Sequence, residues 1–237
     1  MDQECALITR PREDAGPLAD ALWERGIDSL IEPMLEITNL PGPEIDMESY
    51  QAVLLTSANG ARALGFRTAD RETPVLAVGD ATARAAEDHG FINVESAGGN
   101  VHTLADLVRR RLDPADGALL HVAGSATAGD LAGSLAAYTV ARQVLYEAAP
   151  VRALSRRAAD ALAAGRITMA LFYSPRTAAT FADVAAPHMG CLHDITAYAL
   201  SPNVAERLAD LPFRTVRVAE EPTQAALLAA IDGDRRR

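Results

Sequence analysis

The feature that most constrains this chain is that it is written twice. Val53–Leu64 (VLLTSANGARAL) reads like Ala170–Phe181 (ALFYSPRTAATF), with Ser57 opposite Ser174, 117 residues later. The stretch that opens VLAVGDATARAAEDHGF at Val75 parallels the one that opens TAYALSPNVAERLADLPF at Thr196, with Gly79 opposite Ser201. A fainter echo joins the N-terminal ALITRPREDAGPLADALW to ALLHVAGSATAGDLAGSL, where Leu18 and Leu22 align with Leu131 and Leu135 at an offset of 113. Four segments therefore run in the order A, B, A′, B′. A fold for this chain must hold two related halves, and 237 residues suit two domains of about 110 residues each.

Within each segment strand and helix alternate. Cys5–Thr9, Ala52–Thr56, Val75–Val78, Ala118–Val122, Met169–Tyr173 and Val216–Val218 are short apolar runs bounded by turn residues. Such runs predict strands covered on both faces, as in a parallel sheet. Between them lie Ala-rich stretches of helical spacing. Leu18 and Leu22 share a face before Gly26. Ala81–His89 stops at Gly90 and Ser155–Ala164 at Gly165. Val101–Leu112 follows Asn100 as N-cap, and Thr223–Ile231 follows Pro222, suited to a first helical turn. The expectation is an α/β fold of two similar parallel-sheet domains, flavodoxin- or Rossmann-like.

After segment A comes the extended Pro33–Ile37, and after A′ comes Gln143–Glu147, each followed by proline. If these stretches pair as a two-stranded connector, A joins B′ and B joins A′. The expected domains are then 1–33 with 151–237, and an inserted 39–142, with connectors 34–38 and 143–150. Two slender connectors allow hinge motion about a central cleft.

Charge and motifs exclude several functions. A net charge of −10 argues against nucleic acid, which needs a basic stripe; the dense clusters Arg109–Arg111 and Arg235–Arg237 read as a helix end and a terminal tail. No apolar run reaches the length of a membrane helix, and the N-terminus is acidic where an export signal is basic, so a cytoplasmic, non-membrane protein is expected. Cys5 and Cys191 lack redox or zinc spacing. The first strand ends in Thr9-Arg10-Pro11-Arg12 rather than a dinucleotide glycine motif. Gly124 to Gly129 has the outer glycines of a P-loop but is followed by Asp130-Leu131 in place of Lys-Ser/Thr. His89, His102, His188 and His193 read as surface or loop residues, and His121 as a packed strand residue. No metal or organic cofactor is implied.

The strand ends offer something else. Thr9-Arg10, Ser57-Ala58-Asn59, Gly79 through Thr82, Gly124-Ser125, Ser174-Pro175-Arg176 and Ser201-Pro202 each close a strand with small polar residues. Ligands of open α/β sheets bind outside these carboxyl ends, where free N–H groups and positive helix ends favour anions. An acidic chain could hold a polycarboxylate this way. The same residues also serve as ordinary helix N-caps. On that footing a hinged, non-enzymatic ligand-binding or sensor protein for a polycarboxylate is the alternative to an enzyme.

Taken together, LITRP, the P-x-L-E-I connector, LLTSANGARAL, AVGDATARAAEDHGF, LYEAAP, LFYSPRTAATF and the closing AEEPTQAALLAAI resemble the uroporphyrinogen-III synthase family, in order and over nearly the whole chain. The resemblance implies two α/β domains joined by a two-stranded connector, with the active site in the cleft between them. It implies a cofactor-free lyase that cyclises hydroxymethylbilane to uroporphyrinogen III. The last pyrrole ring is inverted and water is lost, through an azafulvene and a spiro intermediate. By matching positions it places Tyr146 as the proton donor to the departing hydroxyl, and Thr9, Arg10, Ser57, Ala58, Asn59, Thr82 and Ser174 along the cleft. It further implies a monomer that takes its bilane from hydroxymethylbilane synthase. Two positions depart from the family pattern: Val204 stands where a threonine is frequent, and Asn59 where relatives can carry a base.

Overall fold

The computed structural model describes residues 4–126 and 130–236. Gly129, one of the two glycines of the P-loop-like run, lies outside the described residues, as do Arg237 of the basic tail and Met1 to Gln3 of the acidic N-terminus. The chain divides into two compact units. Unit 1 holds the residues up to Glu36 and those from Ala149 onward; unit 2 runs from Ile37 to Ala148.

Segment A is β1 (Cys5–Ile8), α1 (Arg12–Trp23) and β2 (Asp28–Ile31), followed by β3 (Leu35–Asn39). Segment B is β4 (Tyr50–Leu55), α2 (Ala58–Gly65), β5 (Val75–Ala77), α3 (Asp80–Asp88), β6 (Val94–Ser96) and α4 (Val101–Arg111). Segment A′ is β7 (Ala118–Gly124), α5 (Leu131–Ser134) and β8 (Val140–Pro150). Then come α6 (Arg156–Ala163) and segment B′: β9 (Met169–Phe172), α7 (Pro175–Val184), β10 (Thr196–Ala199), α8 (Pro202–Glu206), β11 (Thr215–Val218) and α9 (Gln224–Arg235).

Unit 1 orders its strands β11-β10-β9-β1-β2, every neighbouring pair parallel. Unit 2 orders its strands β6-β5-β4-β7-β8, again parallel, with β3 as a sixth strand beside β8. Written in segments, both sheets read the three B strands in reverse and then the two A strands. In unit 1 the chain enters through A; in unit 2 it enters through B. Both unit boundaries fall inside strands, within β3 and within β8.

Alternation of side chains explains why each sheet is covered twice. In unit 1, Ala6, Ile8, Met169 and Leu171 face α1 and α9, packing on Leu18, Leu22, Leu227 and Ile231. Their neighbours Leu7, Ala170 and Phe172 face α6 and α7, where Phe172 meets Phe181 edge-on at 5.1 Å. Trimming Phe172 to alanine would cost about 3–5 kcal/mol. In unit 2, Val53, Leu55, Leu120 and Val122 pack on α2 and α3, whereas Ala52, Leu54 and Leu119 pack on α4 and α5.

Helix ends follow their residue types. Gly26 and Gly90 turn left-handed at φ 71° and 88°, where a side chain would be strained. Asn100 and Thr103 form a reciprocal capping box on α4. The last helix starts at Thr223 as expected, its Oγ1 accepting from the N–H of Ala226, but Pro222 lies before the cap rather than in the first turn, and the helix runs on to Arg235. Strand β8 also pairs with β7, from Val140 to Val144 and again at Tyr146.

One irregularity matters for the site. Ala123 pairs with Val144 but Gly124 pairs with Tyr146, so Leu145 is an extra residue on β8. A regular strand would send Leu145 and Tyr146 to opposite faces; this bulge lets both reach the Val53–Val122 face of the core.

Candidate active site

In open α/β sheets the crevice lies where the strand order reverses. In unit 2 that point is between β4 and β7. Ser57 leaves β4 in extended conformation and caps α2, its Oγ accepting from the N–H of Gly60 at 3.1 Å. The same Oγ lies 2.7 Å from the phenol oxygen of Tyr146. Ser125 donates its backbone N–H to the carbonyl of Tyr146 at 3.0 Å. Arg142 donates from Nη2 to the carbonyl of Gly124 at 2.8 Å. Ser57, Gly124, Ser125 and Tyr146 are thus one cluster, formed by the ends of β4 and β7 and the middle of β8.

A serine hydroxyl has one proton and two acceptor lone pairs. One lone pair of Ser57 is taken by Gly60. Its proton can then go to the phenol oxygen, which leaves the phenol proton of Tyr146 to be given elsewhere. Behind the pair, Nε2 of His121 lies 3.4 Å from Oγ1 of Thr56. Burial, and then the positive charge of Arg142, hold His121 below its ordinary value and so favour the neutral ring.

Other expected residues of unit 2 take local roles. Ala58 and Asn59 form the first turn of α2, and Oδ1 of Asn59 accepts from Nη1 of Arg62 at 2.8 Å. Gly79 caps α3 without a side-chain bond, and its carbonyl accepts from the N–H of Thr82 at 3.0 Å. Thr82 is buried within α3.

The reversal point of unit 1 lies between β1 and β9. Thr9 is fully buried and donates its hydroxyl to the carbonyl of Leu171 at 2.6 Å, so it ties β1 to β9 rather than facing a ligand. The Arg10 guanidinium lies over the Tyr173 ring, 4.3 Å from its centroid, and donates to Gln224 at 3.2 Å. Burial pushes the Tyr173 phenol up to about 12, against the pull of Arg10. Its oxygen is buried with no hydrogen-bond partner among the described residues. Ser174 caps α7, its Oγ accepting from the N–H of Thr177 and lying 3.1 Å from Oγ1 of Thr177. Pro175 and Arg176 are exposed in the first turn, and Ser201 begins α8 without a side-chain cap bond. Sequence reasoning missed Tyr173. The signal was an aromatic residue at a strand end, directly before one of the repeated serines.

A model of the family described as uroporphyrinogen-III synthase HemD matches residues 16–229. The chain belongs to the uroporphyrinogen-III synthase family. A uroporphyrinogen-III synthase of Chlorobaculum parvum is 29% identical over 193 residues, covering 74% of this chain and 76% of that protein. Among solved structures, uroporphyrinogen-III synthetase from Helicobacter pylori superposes with a TM-score of 0.65 at 17% identity, covering 97% of this chain and 99% of the other. A mutant uroporphyrinogen III synthase from Thermus thermophilus gives 0.52 at 16% identity, covering 98% and 99%. At those identities the two structures speak for the fold, parallel-sheet α/β. Membership of this enzyme family rests on the sequence match, which spans both units of the chain.

Proposed function

We propose that this chain is a uroporphyrinogen-III synthase, cyclising hydroxymethylbilane to uroporphyrinogen III with inversion of the last ring and loss of water. The observation that carries the reading is the 2.7 Å pair of Ser57 and Tyr146 at the reversal point of unit 2. The pyrrole nitrogen supplies the electron push, so the protein has two tasks: one proton for the departing hydroxyl, and a fixed substrate conformation. Tyr146 gives the proton and the hydroxyl leaves as water. The azafulvene that remains is attacked by the substituted carbon of the last ring. The resulting spiro intermediate breaks and re-closes at the other carbon, whose proton is then lost. Ser57 donates to the phenol oxygen and so steadies the phenolate while the proton is away.

The carboxylates of the bilane are held, in this reading, by N–H groups at Gly79 and Ala58, by the exposed hydroxyl of Ser125, and by the unit 1 loops at Arg10, Ser174, Pro175, Arg176 and Ser201. Residues 34–38 and 143–150 act as the connectors between domains 1–33 with 151–237 and 39–142. Thr9 and Thr82 support these loops from inside. The protein acts as a cytoplasmic monomer and receives its bilane from hydroxymethylbilane synthase; a short transfer matters because free bilane closes unaided to the non-inverted isomer.

The test supplies bilane made in place from porphobilinogen and deaminase, oxidises the products and separates isomers I and III. Isomer III in excess is expected. Isomer I alone, at the spontaneous ratio, would sink the proposal.

A further inference from the structure

We infer that Gly124 is a positioning residue for this reaction: the space left by its missing side chain seats the Tyr146 ring against Ser57. The inference rests on Tyr146 being the proton donor. Gly124 is buried at the end of β7, and its φ lies outside the left-handed region, so its backbone would accept any residue. What excludes a side chain is the phenol. A Cβ at Gly124 would stand 2.8 Å from both Cε2 and Cζ of Tyr146 and 3.0 Å from its oxygen, inside any ordinary contact. The glycine therefore serves the ring and not the strand.

Three further details hold the ring in that space. The extra residue Leu145 turns Tyr146 onto the Val53–Val122 face. The Ser125 N–H fixes the Tyr146 carbonyl, and Arg142 fixes the Gly124 carbonyl. With the backbone pinned on both strands, a methyl group at position 124 leaves the ring one response, rotation away from Gly124. That rotation lengthens the 2.7 Å approach to Ser57 and moves the proton donor. A misplacement on the order of 1 Å costs up to about a hundredfold in rate.

The experiment compares Gly124→Ala, Tyr146→Phe and the double variant by steady-state kinetics and isomer ratio. Gly124→Ala should lower kcat about tenfold to a hundredfold, leave KM within about threefold, and reduce the share of isomer III. The double variant should be no slower than Tyr146→Phe, because Gly124 acts through that hydroxyl. If Gly124→Ala turns over like the wild type while Tyr146→Phe is slow, the inference is overturned and the proton-donor reading stands. Additive losses in the double variant also overturn it. Wild-type turnover by Tyr146→Phe removes both. Should Gly124→Ala alone fail to fold, pairing it with Tyr146→Ala removes the colliding ring and restores folding; a pair that still does not fold overturns the inference.

Discussion

The reversal points of the two units use the same cap for different ends. Ser57 and Ser174 are equivalent in the repeat, and each accepts a backbone N–H three residues on. In unit 1 that third residue is Thr177, whose Oγ1 sits 3.1 Å from the serine and engages its hydroxyl. In unit 2 it is Gly60, which has no side chain, and the serine hydroxyl is left for Tyr146 at 2.7 Å. The two sheets share one strand order, and two positions separate a sealed cap from a reactive one: Gly60 in place of Thr177, and Tyr146 where the equivalent stretch Pro33–Ile37 has Glu36. Unit 1 instead carries Arg10 over Tyr173, an arrangement suited to holding charge rather than to moving a proton.

The largest test of this contrast is Tyr146→Phe, which removes the proton and should slow isomer III formation about 10²–10⁴-fold with little change in KM. Second comes transplanting the unit 1 cap into unit 2. In Gly60→Thr the new hydroxyl competes with Tyr146 for Ser57, and kcat should fall about tenfold, the worth of roughly one hydrogen bond. A Cβ there has room, 3.4 Å from Val122 and 3.5 Å from Ser57 Oγ, so Gly60→Ala is the control and should stay within about threefold of wild type. Equal loss in both would mean that crowding, not the hydroxyl, separates the two caps.

In unit 1, Arg10→Gln should raise KM by about five- to tenfold with a smaller effect on kcat, as expected for a charge that holds substrate. A fall in kcat alone would move Arg10 out of the binding role. The smallest effect belongs to Tyr173→Phe. Its oxygen is buried without a partner among the described residues, so deletion should leave Tm unchanged or slightly higher. The same variant has a signature in alkali. Burial raises the folded-state value of Tyr173 from 10 to about 12, so the unfolded chain loses its proton first. Stability therefore falls as pH rises through that window, and Tyr173→Phe should flatten the slope. Tyr198 is also raised, by burial and then by Asp234, so some slope should persist. An unaltered slope in denaturant titrations at pH 10 to 12 would show that Tyr173 does not contribute.

Much of the scaffold was legible in the sequence because repetition is a long-range signal. The alignment of Ser57 with Ser174 and of Gly79 with Ser201 marks strand ends that the structure places at equivalent sheet positions. Local chemistry was legible where a residue acts on its own neighbours, as at Asn100 and Gly90. Less legible were features made by strands that are distant in sequence. Thr9 looks like a ligand contact in LITRP, yet its strand lies between β2 and β9, and the carbonyl of Leu171 takes its hydroxyl. The bulge at Leu145 has no glycine or proline of its own to announce it. Tyr173 differs from its repeat partner Thr56, a divergence visible in sequence whose meaning depends on Arg10, 163 residues away.

The exchanged order of A and B has a cost in time. As the chain leaves the ribosome, β1 and β2 emerge first, but β1 pairs on its other side with β9, Ala6 beside Met169. That edge, with Ala6, Leu7 and Ile8, stays open while the whole of unit 2 is made, and unit 2 has every strand it needs by Ala148. Closing so long a loop is slow, and an apolar strand edge left waiting invites pairing with the wrong partner. Folding is therefore expected to run from the middle outward: the inserted unit can complete its sheet before β9, the second partner of β1, has been made.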